Sequence, residues 1–339
     1  MKKILLIDVD SKIPNLALMR LSSYHKRMGH QIELLTLAYG GYPGIKRDTQ
    51  IDSKKYLKVY ASIIFSWNRN VLQFSDMSNV LIGGTGFDLE VELPPEVDSE
   101  SEDYSLYSEK TETAYGFLTR GCIRKCAFCV VPKKEGSIHL EHQIDEIFDP
   151  TIHKRICLMD NNILAYPGHM DILRELRDRQ IPVHFNSGLD IRLVTEENLA
   201  VLRDLKYYGE YMFSFDLPKQ RSEITEKANL VRKYISKPWK LKMCLLVGWH
   251  SSLEEDLGRI IWCLERNILP YVMRHENCWS SDNRDFYIDI AAWANQPAFV
   301  KKMTFTQFLK RRHLKNIKRL KSSAKIYKNI LGKAVSFAV

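Results

Sequence analysis

At 339 residues, with 45% hydrophobic and 27% charged, the chain has ordinary globular composition, which excludes collagen-like repeats and wholesale disorder and suggests about two domains. No uninterrupted apolar stretch reaches the ~18 residues of a membrane helix, and the run Ile4-Leu5-Leu6-Ile7 is too short for a signal-peptide core, so a cytoplasmic protein is expected. The net charge of +9 is uneven: residues 291–339 hold twelve Lys or Arg and no Asp or Glu, leaving residues 1–290 at −3.

Residues 4–9 read as a buried strand. A helix is predicted over about 15–28, with Leu16, Met19, Leu21 and Tyr24 among its apolar positions, and Gly29 stops it before a strand at 31–35. Strand, helix, glycine stop and strand is the signature of a βαβ unit in a parallel sheet. Further strands are predicted at 59–66 and 80–83. The latter runs into Gly83-Gly84-Thr85-Gly86, where a tight turn is preferred over a ligand loop because glycine serves both. Residues 88–112, with ten carboxylates against one Lys and the pair Pro94-Pro95, read as an exposed acidic connector.

A second series follows, with strands predicted at 114–119, 156–159, 183–186, 212–215, 241–248 and 269–273. Helices are predicted between them at 142–148, 170–180, 195–204, 222–233 and 253–266. This alternation implies a parallel, barrel-like sheet, in which chemistry gathers at the C-terminal ends of the strands. In the tail, Leu314, Ile317, Leu320, Ala324, Tyr327 and Leu331 share one face of a basic helix within 304–331. Three readings stand for it: a helix docked on the barrel with a solvated cationic face, a nucleic-acid contact, or a membrane or partner surface. The expected class is therefore α/β. An N-terminal Rossmann-like parallel sheet (1–87) and an acidic linker (88–112) precede a partial (β/α)6 TIM-type barrel (113–290) and a basic helical extension (291–339).

Seven cysteines in a long intracellular chain favour metal binding or catalysis over a disulfide framework. Three of them lie in Arg120-Gly121-Cys122-Ile123-Arg124-Lys125-Cys126-Ala127-Phe128-Cys129, directly after the first strand of the barrel series. Thiolates at CxxxCxxC spacing can converge on one zinc ion or iron–sulfur cluster. Four cysteines would saturate a cubane, whereas three leave one iron open. Arg120, Arg124 and Lys125 favour the deprotonated thiols. The alternative is a structural zinc in a non-catalytic nucleic-acid-binding protein, but zinc sites come more often as paired CxxC, and no second pair is present. Burial is the simplest role for Cys157, Cys244, Cys263 and Cys278.

The triple-cysteine motif, with Phe128 before its last member, resembles the signature of the radical S-adenosylmethionine superfamily over roughly residues 113–290. The resemblance implies a 4Fe–4S cluster on Cys122, Cys126 and Cys129, and S-adenosylmethionine on the open iron. It further implies reductive cleavage to a 5′-deoxyadenosyl radical that takes hydrogen from a substrate, with a flavodoxin- or ferredoxin-type electron donor. Where the family often has Gly-Gly-Glu, this chain has Asp160-Asn161-Asn162. Asp160 and Asn161 read either as contacts to the methionine ammonium or as a cap for the next helix. Asn186 and Ser187 are expected near ribose or carboxylate. Arg192 either clamps the methionine carboxylate or pairs with Asp190. Ser214 and Asp216 end the fourth strand, Leu246-Val247-Gly248-Trp249 resembles the segment that touches adenine, and Val272 lies in the strand whose backbone reads the adenine edge. Candidates for proton transfer are Asp216, Tyr271, His275 and Glu276.

The N-terminal part resembles the cobalamin-binding domain that precedes some radical S-adenosylmethionine barrels, through residues 26–33 and 82–86. The loop after the first strand, Asp8-Val9-Asp10-Ser11-Lys12-Ile13-Pro14, has no His for cobalt, so cobalamin is not expected. Methylthiotransferases carry similar Arg-Gly-Cys clusters and add three N-terminal cluster cysteines. Residues 1–121 contain no cysteine, which disfavours methylthiolation. The substrate is unassigned, with nucleic acid reached through the tail as one reading.

Overall fold

The computed structural model describes residues 2–37, 48–110 and 112–334. The last residues of the predicted tail, 335–339, lie outside the described residues. The chain divides into two compact units, Met1–Gly116 with Phe128–Gly136 and Gln143–Ile156, and Phe117–Ala127 with Ser137–His142 and Cys157–Val339. Both are mixed α/β structures containing parallel sheet.

In the first unit, β1 (Lys3–Asp8), β2 (Gln31–Thr36), β4 (Lys58–Ser62) and β6 (Val80–Gly83) form a parallel sheet in the order β2-β1-β4-β6. β3 (Thr49–Ile51) and β5 (Leu72–Phe74) make a small parallel ladder, and β7 (Thr113–Gly116) follows later. The middle of β1, residues 4–7, is apolar throughout because both of its faces are covered. Ile4 and Leu6 pack against Leu18 and Leu21 of helix α1 (Leu16–Arg27), while Leu5 and Ile7 meet Val59, Ala61 and Ile63. Helix α1 begins where the Asn15 side chain accepts from the Leu18 N–H at 3.2 Å. Its last turn, His25-Lys26-Arg27, places basic residues at the negative end of the helix dipole.

The strand predicted at 59–66 stops at Ser62. The Asp10 carboxylate takes the N–H groups of Ile64 and Phe65 at 2.7 and 3.1 Å, which removes them from any ladder. Gly84, at φ +98°, sits so close to Ile63 that an added Cβ would lie 2.4 Å from its carbonyl oxygen, as a tight turn requires.

Part of the acidic stretch packs on α1, although most of its described residues are exposed. Leu93, Val97 and Leu106 pack against Leu18 and Leu21. The cations of α1 collect its carboxylates: Arg20 binds Asp98 at 2.6 Å and Glu102 at 3.0 Å, Lys26 binds Asp103 at 2.6 Å, and Arg27 binds Glu100 at 2.5 Å. Charge density in the sequence suggested solvation, but its counter-charges lie some eighty residues upstream, on one helix face.

The second unit carries β8 (Thr119–Arg120), antiparallel to β9 (His139–Leu140), and β11 (Val183–Phe185), which is a sheet neighbour of β10 (Arg155–Leu158). A parallel ladder, β12-β13-β14, joins Tyr211–Ser214, Leu241–Val247 and Leu269–Arg274. Parallel bridges Val183↔Tyr207 and Leu189↔Phe213 connect the β11 and β12 segments. Helices α2 (His169–Asp178), α3 (Glu196–Asp204), α4 (Arg221–Tyr234) and α5 (Leu253–Glu265) fall between the strands within a few residues of the expected bounds. The helix predicted at 142–148 shrinks to the single turn Ile144–Ile147. The strand predicted at 114–119 breaks into β7 and β8, because the Leu118 and Thr119 N–H groups both donate to Asp160.

The tail forms two helices rather than one, α7 (Phe305–Arg312) and α8 (Ile317–Ala334), after α6 (Arg284–Ala294). The break has two causes: His313 turns its Nε2 to Asp289 at 2.9 Å, and Asn316 caps the new helix by accepting from the Arg319 N–H at 3.1 Å. Phe305, Phe308, Leu309 and Ile330 are buried, so the tail is docked by its apolar face. No helix among the described residues is long and apolar enough to cross a membrane.

Candidate active site at the cysteine loop

The seven cysteines sort by environment. Cys122 and Cys126 are half-buried and Cys129 is exposed, whereas Cys157, Cys244, Cys263 and Cys278 are buried. Burial pushes the Cys244 thiol up to about 12 and that of Cys278 to about 11, and raises that of Cys263 as well. Thiols held protonated in apolar surroundings are inert. The accessible sulfurs are therefore those of the CxxxCxxC loop, which leaves β8 through Gly121 at φ +79°.

Two donors point at the Cys122 sulfur: the Arg124 N–H at 3.3 Å and the Asn162 Nδ2 at 3.4 Å. The Arg124 Nε then reaches Asp190 Oδ2 at 2.9 Å, and Arg192 grips the same carboxylate from Nε at 2.7 Å and from Nη2 at 3.0 Å. Burial works to raise the Asp190 pKa, but hydrogen bonds from Arg192 and Arg124 outweigh it and hold the carboxyl below its ordinary value. Of the two readings offered for Arg192, the structure shows the pair with Asp190.

Asp160 does not cap a helix. It is 2% exposed and accepts from the N–H groups of Leu118 and Thr119 at 3.3 and 2.5 Å and from the Thr119 hydroxyl at 2.7 Å. These bonds hold the segment that enters the cysteine loop. Burial raises its pKa to about 6 despite them. Asn161 lies beside it, and Asn162 follows, with its Oδ1 buried and without a hydrogen-bond partner among the described residues. Such an orphan is costly unless something external satisfies it. Asn162 was not among the sequence candidates; its place two positions beyond Asp160, after the end of β10, was the available signal.

Next along the chain, the Asn186 N–H donates to the Leu158 carbonyl at 2.7 Å, and the Ser187 hydroxyl to the Met159 carbonyl at 3.0 Å, lacing two strand ends together. Ser214 closes β12 opposite Cys244. Asp216 accepts from the Leu246 N–H at 3.3 Å, and burial raises its pKa. The Gly248 N–H donates to Asp256 Oδ2 at 2.9 Å, to which Tyr287 also donates at 2.9 Å. The Val272 N–H and carbonyl are both engaged by the Asn295 side chain, at 2.6 and 3.0 Å. The Trp249 and His275 rings lie 4.4 Å apart beyond these strand ends. Phe128, half-buried, and Cys129 belong to the Phe128–Gly136 segment of the first unit.

Among the described residues, no group of three or more His, Cys, Asp or Glu side chains is arranged to hold a metal ion. The donor chemistry nonetheless fits an iron–sulfur cluster. Three accessible thiols follow one strand, two N–H donors face the Cys122 sulfur, and among the described residues the buried amide oxygen of Asn162, whose Nδ2 is one of those donors, has no partner.

Gly248 allows a direct test of the strand-end geometry. It has φ +75°, and an added Cβ would lie 2.4 Å from the Cys278 sulfur. Gly248→Ala should cost about 2–4 kcal/mol in urea unfolding, from backbone strain plus overpacking. Adding Cys278→Ala should recover part of that loss, giving a non-additive cycle.

No family model matches the chain. Similar curated proteins include the ribosomal protein uS12 methylthiotransferases RimO of Prochlorococcus marinus strains AS9601, MIT 9312 and MIT 9301, each 24% identical over 217 residues. The match covers 54% of this chain and 45% of each relative, so it spans about half the length of the relatives.

Proposed function

We propose that residues 113–290 form a radical S-adenosylmethionine barrel of the (β/α)6 type in which Cys122, Cys126 and Cys129 hold a 4Fe–4S cluster. The observation that carries the reading is the sorting of the cysteines: the three at cluster spacing are the accessible ones, and the other four are buried. When bound, the cluster supplies the electron that cleaves S-adenosylmethionine to a 5′-deoxyadenosyl radical, with a flavodoxin- or ferredoxin-type protein as donor. Zinc gains no support beyond the thiols themselves.

The chain's own groups position and charge-balance the site. Arg124 and Arg192 are locked by Asp190, and the Arg124 N–H faces the Cys122 sulfur. Asn162 Oδ1 offers an acceptor for an ammonium group. Asp160 acts through the backbone it holds. Phe128, Asn161, Asn186, Ser187, Ser214, Asp216, Gly248 and Val272 are proposed to border the S-adenosylmethionine site. The Val272 backbone would do so by shape, since Asn295 takes its polar groups. The segment 1–87 is proposed as a separate domain without cobalamin: in the loop after β1, Asp8 accepts from Tyr107 and Ser11, and Asp10 from Ile64, Phe65 and Asn68.

Anaerobic reconstitution should load about four irons per chain, as the cubane stoichiometry requires. Reduction with S-adenosylmethionine should release 5′-deoxyadenosine. Cys126→Ala should lose both the iron and the product while keeping the thermal transition of the unloaded wild type. Stoichiometric zinc without iron overturns the proposal.

A further inference from the structure

We infer that the outward face of α8 is a docking surface for the phosphate backbone of a nucleic-acid duplex. The inference stands independently of the cluster chemistry.

The helix is fixed in place by its inner side. Asp289, 0% exposed, receives Arg312 at 3.2 Å, His313 at 2.9 Å, Arg319 at 2.9 Å and the Ser323 hydroxyl at 3.1 Å. Arg319 also binds Asp285 at 3.1 Å, Tyr327 meets the Phe305 ring edge-on at 5.0 Å, and Ile330 is buried. The acidic and apolar anchors of this segment are therefore all on one side.

The opposite side is cationic. Lys318, Lys321, Lys325 and Lys328 are all exposed. At 100° per residue they fall within an arc of about 80°, and at 1.5 Å rise they span about 15 Å. Lys310, Arg311 and Lys315, also exposed, add charge ahead of the helix start. No Asp or Glu occurs anywhere in residues 291–339, so neighbouring carboxylates in the tail cannot neutralise the stripe.

The spacing and the occupied apolar face choose the partner. Counting both strands, a duplex carries a phosphate charge about every 1.7 Å of axis, so a stripe of about 15 Å faces enough phosphates to pair four lysines. A bilayer-binding helix works by burying its apolar face in lipid, and here that face is already buried against the chain. The exposed apolar side chains at its start, Leu314 at 78% and Ile317 at 60%, are two only. A protein partner would centre on an aromatic or aliphatic anchor in a pocket, whereas the stripe is bordered by Ser322 and Asn329 on one side and by the exposed aliphatic Ile317 on the other.

The test is fluorescence anisotropy of a short DNA duplex of arbitrary sequence with the full chain. The variant carries Lys318→Ser, Lys321→Ser, Lys325→Ser and Lys328→Ser. A control removes four exposed lysines elsewhere: Lys2→Ser, Lys54→Ser, Lys206→Ser and Lys237→Ser. Four phosphate contacts contribute a log–log salt slope of about −3.6, or about 150-fold in affinity between 50 and 200 mM salt. The stripe variant should lose most of that slope and more than tenfold in low-salt affinity, with an unchanged thermal transition, while the control stays near wild type. Equal losses in the two variants would overturn the inference, as would a stripe variant that binds like wild type. Wild-type binding to phosphatidylserine vesicles without binding to the duplex would overturn it too.

Discussion

Arg259→Leu should cost about 3–5 kcal/mol of stability, the range for removing one partner of a buried ion pair. Arg259 is 1% exposed and faces Asp256, 2% exposed, at 2.6 Å. Its other bonds go to the carbonyls of Phe215, Asp216 and Leu246 at 2.7, 2.6 and 2.7 Å. Leucine would leave three strand-end carbonyls without donors and a carboxylate without its counter-ion. Asp256 in turn accepts from Gly248, Ser251 and Tyr287, so the damage reaches the segments beyond both β12 and β13. Arg259→Lys should fall between, keeping the charge and losing part of the carbonyl fork. Urea unfolding at neutral pH checks both. A loss below about 1 kcal/mol for Arg259→Leu would mean that the strand ends hold themselves.

Asp160→Ala should cost about 3 kcal/mol or more, because it strands two backbone N–H groups and the Thr119 hydroxyl at about 1–3 kcal/mol each. The same residue makes stability depend on pH in a direction opposite to that of most carboxylates. Its folded pKa, about 6, lies above the unbound value of 3.8. The native state therefore holds this proton more tightly than the unfolded chain does. The resulting stabilisation is full below about pH 4 and gone above about pH 6, and two units correspond to about 3 kcal/mol. Wild type should lose about that much relative to Asp160→Asn as pH rises across this window, other titrations cancelling in the difference. A flat difference would place the Asp160 titration at its ordinary value.

Much of the parallel architecture was legible because apolar runs record burial directly. Residues 4–7 are continuous in hydrophobicity because both faces of β1 are covered. Strand ends were less legible, since Asp10 and Asp160 end or break strands by taking N–H groups 54 and 41 residues away. The cysteine spacing singled out three thiols, and the burial of the other four agrees with that choice. The residues that shape the site were harder to see. Asn295 satisfies Val272 from 23 residues away, and Arg259 reaches Phe215 from 44. In the acidic stretch, Asp98, Glu100, Glu102 and Asp103 are partnered by a helix more than seventy residues upstream, which composition alone does not reveal.

The sorting of the cysteines also gives the molecule a built-in stoichiometric readout. A small alkylating reagent should mark three sulfur atoms on the folded, unloaded chain and all seven once the chain is unfolded. Cluster loading should shield that trio, so counting adducts by intact mass would report occupancy chain by chain, with no need for colour or iron analysis.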